Sequence, residues 1–264
     1  MKEFLKYFFG AGTQQEFAIF TPAHFAPILL AIGIILFLFW KRKALTQWKR
    51  ESTLRYTLAF ILILSEFSYY WRLVANPELV AGAIENLPIA VCGWVTIFGS
   101  FMLIGKNQSL FDIIYFWLFA GTIFAVITPT VLTYTGPTRF RYYQFWVAHL
   151  AGYVAVFYMI FVHKMRPNIK SAVKSYIALA VLAVVAHIAN SMVPGANYLF
   201  IARPESAPSI LDFLPANFLL RLLVMASAIT LLYALAYLPW YLKDRKSKKH
   251  TEEKSRLSAG IFYA

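Results

Sequence analysis

Seven long apolar stretches run through this chain of 264 residues, and they leave it one solvent in which to fold. Residues 20–40, 57–74, 87–104, 112–131, 142–162, 175–193 and 217–240 each approach the roughly 20 apolar residues that cross a bilayer as a helix. The chain is 60% hydrophobic and 14% charged, more apolar surface than a soluble domain of this length could hide. The pattern predicts an all-α polytopic membrane helical bundle of seven transmembrane helices, spanning 20–240. An interfacial segment, 1–19, precedes it and a basic tail, 241–264, follows, expected to be disordered. A membrane β-barrel is excluded because barrels alternate apolar and polar over about 10 residues, whereas 28–40 and 176–189 are continuously apolar. Near the start, Phe4, Leu5, Phe8 and Phe9 among Lys2, Glu3 and Lys6 suit an interfacial helix better than a signal peptide.

A net charge of +13 raises nucleic-acid binding as a function, and its distribution answers otherwise. Eighteen Lys and Arg fall between spans one and two, three and four, five and six, and after span seven; five fall in the other connections and before span one. Such asymmetry sets orientation: N-terminus outside, C-terminus cytoplasmic. The basic face also attracts anionic lipid headgroups. No nucleic-acid partner is expected.

With orientation set, depth follows from a rise of ~1.5 Å per residue. Cys92, the single cysteine, lies roughly 7 Å below the outer end of the third span, His149 about 10 Å down the fifth, and His187 about 9 Å from the end of the sixth. Glu66 is some 12 Å inside the second span, with Arg72 near its surface. His24 and Arg221 begin the first and seventh spans. One nucleophile, three imidazoles, one carboxylate and two guanidiniums thus share an outer layer, with almost nothing comparable expected in the inner half. Singly, each has a bland reading: a packing thiol, a satisfied histidine, a snorkelling arginine. Glu66 resists this, since a buried carboxylate needs a partner; Arg72, six residues on, is off its face, so Glu66 should look to another helix. The outer segment 194–216, with four prolines and one glycine, reads as a cap over the bundle mouth offering Asn197, Tyr198 and Asp212.

A thiol becomes a nucleophile when an imidazole takes its proton, and Cys92 with His149 fits that requirement. In a lipid-facing site the natural electrophile is an acyl ester, and Arg72 or Arg221 could hold a phosphate. No metal and no cofactor is expected: there is no H-x-x-x-H or C-x-x-C element, no phosphate-binding glycine loop and no nucleophile elbow.

The elements LPIAVC at 87–92, RYYQFWVAH at 141–149 and NYLFIARPESAPSILDFL at 197–214 resemble those of YwaF-like bacterial integral membrane proteins, which are similar to the animal transmembrane-protein-164 type. The resemblance covers roughly 17–240. It implies an acyltransferase acting on membrane phospholipids, with Cys92 as nucleophile and His149 as base. It also implies a multi-pass protein of a bacterial cytoplasmic membrane. Ala90 stands where the bacterial pattern often carries a histidine. Transport through Glu66, His149, His187 and Arg72 is the alternative, against which stands the lack of a Pro or Gly break at the centre of any span. A non-catalytic scaffold held together by the polar layer is a third reading.

Overall fold

A computed structural model describes residues 1–12, 14–76, 79, 87–129, 135–203 and 213–261, without side chains for 249 and 252–261. Its elements are α1 (Lys2–Phe9), α2 (Pro22–Gln47), α3 (Glu51–Ala75), α4 (Val91–Gly105), α5 (Gln108–Trp117), a π-helical turn Leu118–Thr122, α6 (Ile123–Ile127), α7 (Phe140–His163), α8 (Ile169–Met192) and α9 (Phe218–Ile261). All elements among the described residues are helical.

Six helices are long and apolar enough to cross a membrane: α2, α3, Gln108–Ile127, α7, α8 and Phe218–Lys248. The third predicted segment is the shorter α4, 15 residues long. Pro88 withholds a donor ahead of it, Ala90 is extended at the N-cap, and Lys106 ends it in the left-handed region. The ~22 Å that 15 residues provide falls short of a hydrocarbon core of about 30 Å. The tail expected to be disordered instead continues α9 to Ile261, a stretch rich in Lys, Arg and Glu, which are good helix formers.

Named contacts fix the directions of the three central helices. Along α3 and α4, Thr96 bonds Glu66, Ser100 bonds the carbonyl of Ala59, and Arg55 bonds that of Ile104. Along α3 and α7, Gln144 bonds the carbonyl of Ser65, and both Tyr158 and His163 bond Glu51. Each pair is antiparallel, so α4 and α7 run parallel, side by side. α7 sits centrally, touching α2, α3, α4 and α5, and 72% of its apolar window is buried against 11% for α9. The exposed Leu29, Leu36, Ile177, Val181, Leu223 and Leu231 on α2, α8 and α9 are what a bilayer would cover.

The expectation that the other end of the bundle offers almost nothing comparable does not hold. At the Gly105 end, Glu51 Oε1 accepts from Arg55 Nε (3.1 Å), Tyr158 Oη (2.6 Å) and His163 Nε2 (2.7 Å). Asp112 accepts from Gln108, Ser171 and Lys174. Most of these are residues of helix ends that depth counting assigned to connections, whereas Tyr158 and Asp112 fall within predicted spans. Each closes on its own partners, as buried charges must.

Candidate functional site

Cys92 is the second residue of α4, in the first helical turn, where backbone N–H groups lack intrahelical acceptors. In an apolar bundle, such a turn is where negative charge is best tolerated. The π-helical turn packs beside it: a Cβ on Gly121 would stand 3.1 Å from Val91 Cγ1. That turn interrupts a span expected to be unbroken. Its Leu118 carbonyl is satisfied by Tyr153 Oη at 2.7 Å.

His149 is buried, and its Nδ1 lies 2.8 Å from the carbonyl of Phe145. A carbonyl only accepts, so Nδ1 carries the proton and Nε2 keeps the lone pair a base needs. The Phe145 ring stacks on the imidazole at 4.0 Å. Gly152 of α7 meets Val95 of α4: a Cβ there would lie 3.0 Å from Val95 Cγ1. Counting back three residues along each of these parallel helices gives His149 and Cys92, one turn above the contact and level with each other. The described hydrogen bonds do not join thiol to imidazole.

Arg141, one turn before Phe145, is the group the sequence reading missed. Its guanidinium lies 4.7 Å over the Tyr69 ring and 5.6 Å from that of Phe145, and it donates to Gln144 Oε1. Its charge acts on Cys92, Glu66, Tyr69 and His149. The signal was available: 141, 145, 149 and 152 fall on one helical face. Counting Arg141 as a loop cation concealed it. Glu66 accepts from Thr96 at 3.2 Å on α4, and Gly93 leaves room for its carboxylate.

Tyr198 also reaches this end of the bundle. Its hydroxyl accepts from the backbone N–H of Leu87 at 3.1 Å, tying the cap to the segment before Cys92. Asn190 holds the Tyr198 backbone through both N–H and carbonyl. The other expected residues are engaged elsewhere. His24 accepts from the N–H of Phe20 at Nδ1 and donates from Nε2 to the carbonyl of Val126 at 2.9 Å, a structural clamp. Arg72 donates to the carbonyls of Phe9 and Gly10, holding α1. Arg221, wholly buried, donates to those of Phe200, Arg203, Leu214 and Pro215. Asn197 bonds within its own loop, to Ala202 and Arg203. His187 is exposed on α8 against Phe218. Asp212 lies outside the described residues. No group of three potential metal ligands occurs among the described residues.

The chain is matched by a family model. The TMEM164 family model aligns with residues 19–249. The chain belongs to the TMEM164 family. The match takes in all six long apolar helices as far as residue 249, α4 with Cys92, and α7 with His149. No curated protein and no solved structure matches the chain. Membership makes this a multi-pass membrane protein of that family.

Proposed function

We propose that this TMEM164-family protein is a lipid-acting enzyme, an acyltransferase that moves a fatty acyl chain between a phospholipid and a lysophospholipid. The observation that supports it is the Gly152–Val95 contact between parallel helices, from which Cys92 and His149 lie an equal three residues back. His149 Nε2 takes the Cys92 proton, and the thiolate attacks the ester carbonyl of the donor lipid. The N–H groups at the start of α4 and the guanidinium of Arg141 face the oxygen on which charge develops. The tetrahedral adduct collapses, the lysolipid alcohol leaves with the proton from His149, and an acyl-thioester remains. An acceptor hydroxyl then attacks, giving its proton to His149 as the thiolate departs and recovers it. No cofactor enters this cycle.

In this reading α4 and the turn before it complete a seventh crossing. The N-terminus and the Cys92 end face outward and the lysine-rich tail faces the cytoplasm, in a bacterial cytoplasmic membrane, as the charge asymmetry requires.

The test is intact-protein and lipid mass spectrometry after incubation in nanodiscs with a phospholipid and lysophospholipid pool, with Cys92→Ser in parallel. The expected result is an acyl adduct on Cys92 and acyl redistribution absent in the variant. Unmodified Cys92 and an unchanged lipid pool would overturn the reading, and loss of function on Glu66→Gln alone would point to transport.

A further inference from the structure

A cavity of about 1060 Å³ opens between α3 and α7, with α1 lying across its end. Its walls are apolar, including Phe9, Leu64, Trp71, Phe140 and Val147. The charged residues lining it are Lys6 and Arg72, both cations, with no carboxylate among them. Arg72 is committed to the end of α1, whereas Lys6 is exposed at the groove. The size falls at the upper end of what ligand sites use. An apolar trough ending in a cation complements a phospholipid: acyl chain along the trough, phosphate at the ammonium.

One side chain links this groove to the candidate site. Gln144 lines the groove. Its Nε2 donates to the Ser65 carbonyl at 2.8 Å, closing the seam between α7 and α3. Its Oε1 accepts from Arg141, whose charge reaches Cys92 on the far side. The amide is therefore bonded both to the helix it seals against and to a residue of the site behind it.

We propose that a phospholipid lodges in the groove between α3 and α7 beneath α1, and that its acyl ester reaches Cys92 sideways, past Gln144. The bonds of Gln144 to Ser65 and to Arg141 must open for this, and the membrane itself supplies the lipid at that lateral mouth. The inference rests on Cys92 as the reacting group, and it names the lipid's route and the residue that gates it.

Cys92 is the single cysteine, so its alkylation reports access without requiring acyl transfer. In nanodiscs, a maleimide carrying a long alkyl chain and a sulfonated, membrane-impermeant maleimide are compared by intact mass. The alkyl reagent is expected to label the wild type faster. Val147→Trp, at a position 41% exposed, fills the groove and is expected to slow the alkyl reagent by about an order of magnitude. Gln144→Ala is expected to speed it, and neither variant should alter the sulfonated rate. Leu5→Trp fills the same groove from α1 and stands in should Val147→Trp not fold. Equal slowing of both reagents, no slowing of either, or labelling by the sulfonated reagent alone would overturn the lateral route. Catalytic failure with the expected labelling pattern would sink the acyl-transfer reading and leave the route intact.

Discussion

Glu66 and Gly93 share one volume: a Cβ on Gly93 would stand 2.7 Å from Glu66 Oε1. The carboxylate of α3 is thereby let into the first turn of α4, where Thr96 donates to it at 3.2 Å. The residue next to the proposed nucleophile is small because an acid on another helix occupies the space a side chain would need. Gly93→Ala should force the carboxylate aside and break the Thr96 bond, at a cost of about 1–3 kcal/mol despite the better helix propensity of alanine. Thermal unfolding in detergent measures it. Combined with Glu66→Ala, the two losses should be less than additive; strict additivity would show that the shared volume is not what matters.

Arg141 brings a positive charge to bear on the thiol, the imidazole and Glu66. If it steadies developing negative charge, Arg141→Ala should lower the acyl-transfer rate by roughly 30-fold or more, about 2 kcal/mol of transition-state stabilisation. Arg141→Lys should recover part of this, since the charge returns without the planar fork. The loss should fall on kcat. An effect confined to KM would make Arg141 a binding residue instead.

Outside the helices, Glu16 accepts from Arg139 at 3.0 Å and from Thr138 at 2.8 Å, while Arg139 also donates to the carbonyls of Tyr7 and Ala11. Burial works to raise the Glu16 pKa, but the bonds from Arg139 and Thr138 and the Arg139 charge outweigh it, holding the carboxyl below its usual value of 4.5. A depressed folded-state pKa contributes stability that is present above the unfolded value and lost as pH falls through the folded one. Acidification below about pH 4.5 should therefore loosen the N-terminal segment. Limited proteolysis near residue 13 across pH 3–7 reads this out, and Glu16→Gln should abolish the pH dependence. A pH-independent cleavage rate in the wild type would remove Glu16 as the latch.

At the opposite end, Glu51 serves Arg55, Tyr158 and His163 together, with side-chain exposures of 13% for Glu51 and 5% for Arg55. Glu51→Ala would strand a buried guanidinium and should destabilise the bundle by about 3 kcal/mol, read as a lower melting temperature. Cys92 alkylation in the folded fraction should be unaffected. A change there would mean that the two ends are coupled.

Much of the architecture was legible from the sequence because a bilayer imposes a length and a composition on each helix that spans it. That reasoning found six of the long helices. It started the third span too early, at 87, because hydropathy does not see that Pro88 delays α4 to Val91. It failed at the tail because polarity was read as disorder, although Lys, Arg and Glu are good helix formers. In the candidate site, depth alone paired Cys92 with His149. Arg141 was lost to a boundary drawn at residue 142, one position too late. Arg72, Arg221 and His24 have the residue types of a binding site, but backbone carbonyls claim their donors, and a carbonyl leaves no trace in a one-letter code.

Sequence by itself determined that the chain folds in a membrane, which segments can cross it, and that Cys92 and His149 lie at comparable depth, since each follows from periodicity and rise along one helix. Only the tertiary structure decided which faces meet: Glu66 against Gly93, Gly152 against Val95, Arg141 turned inward, and Gln144 across the seam to Ser65. Those relations depend on how helices rotate about their own axes to fill space against one another, and no single helix carries that angle in its own residues.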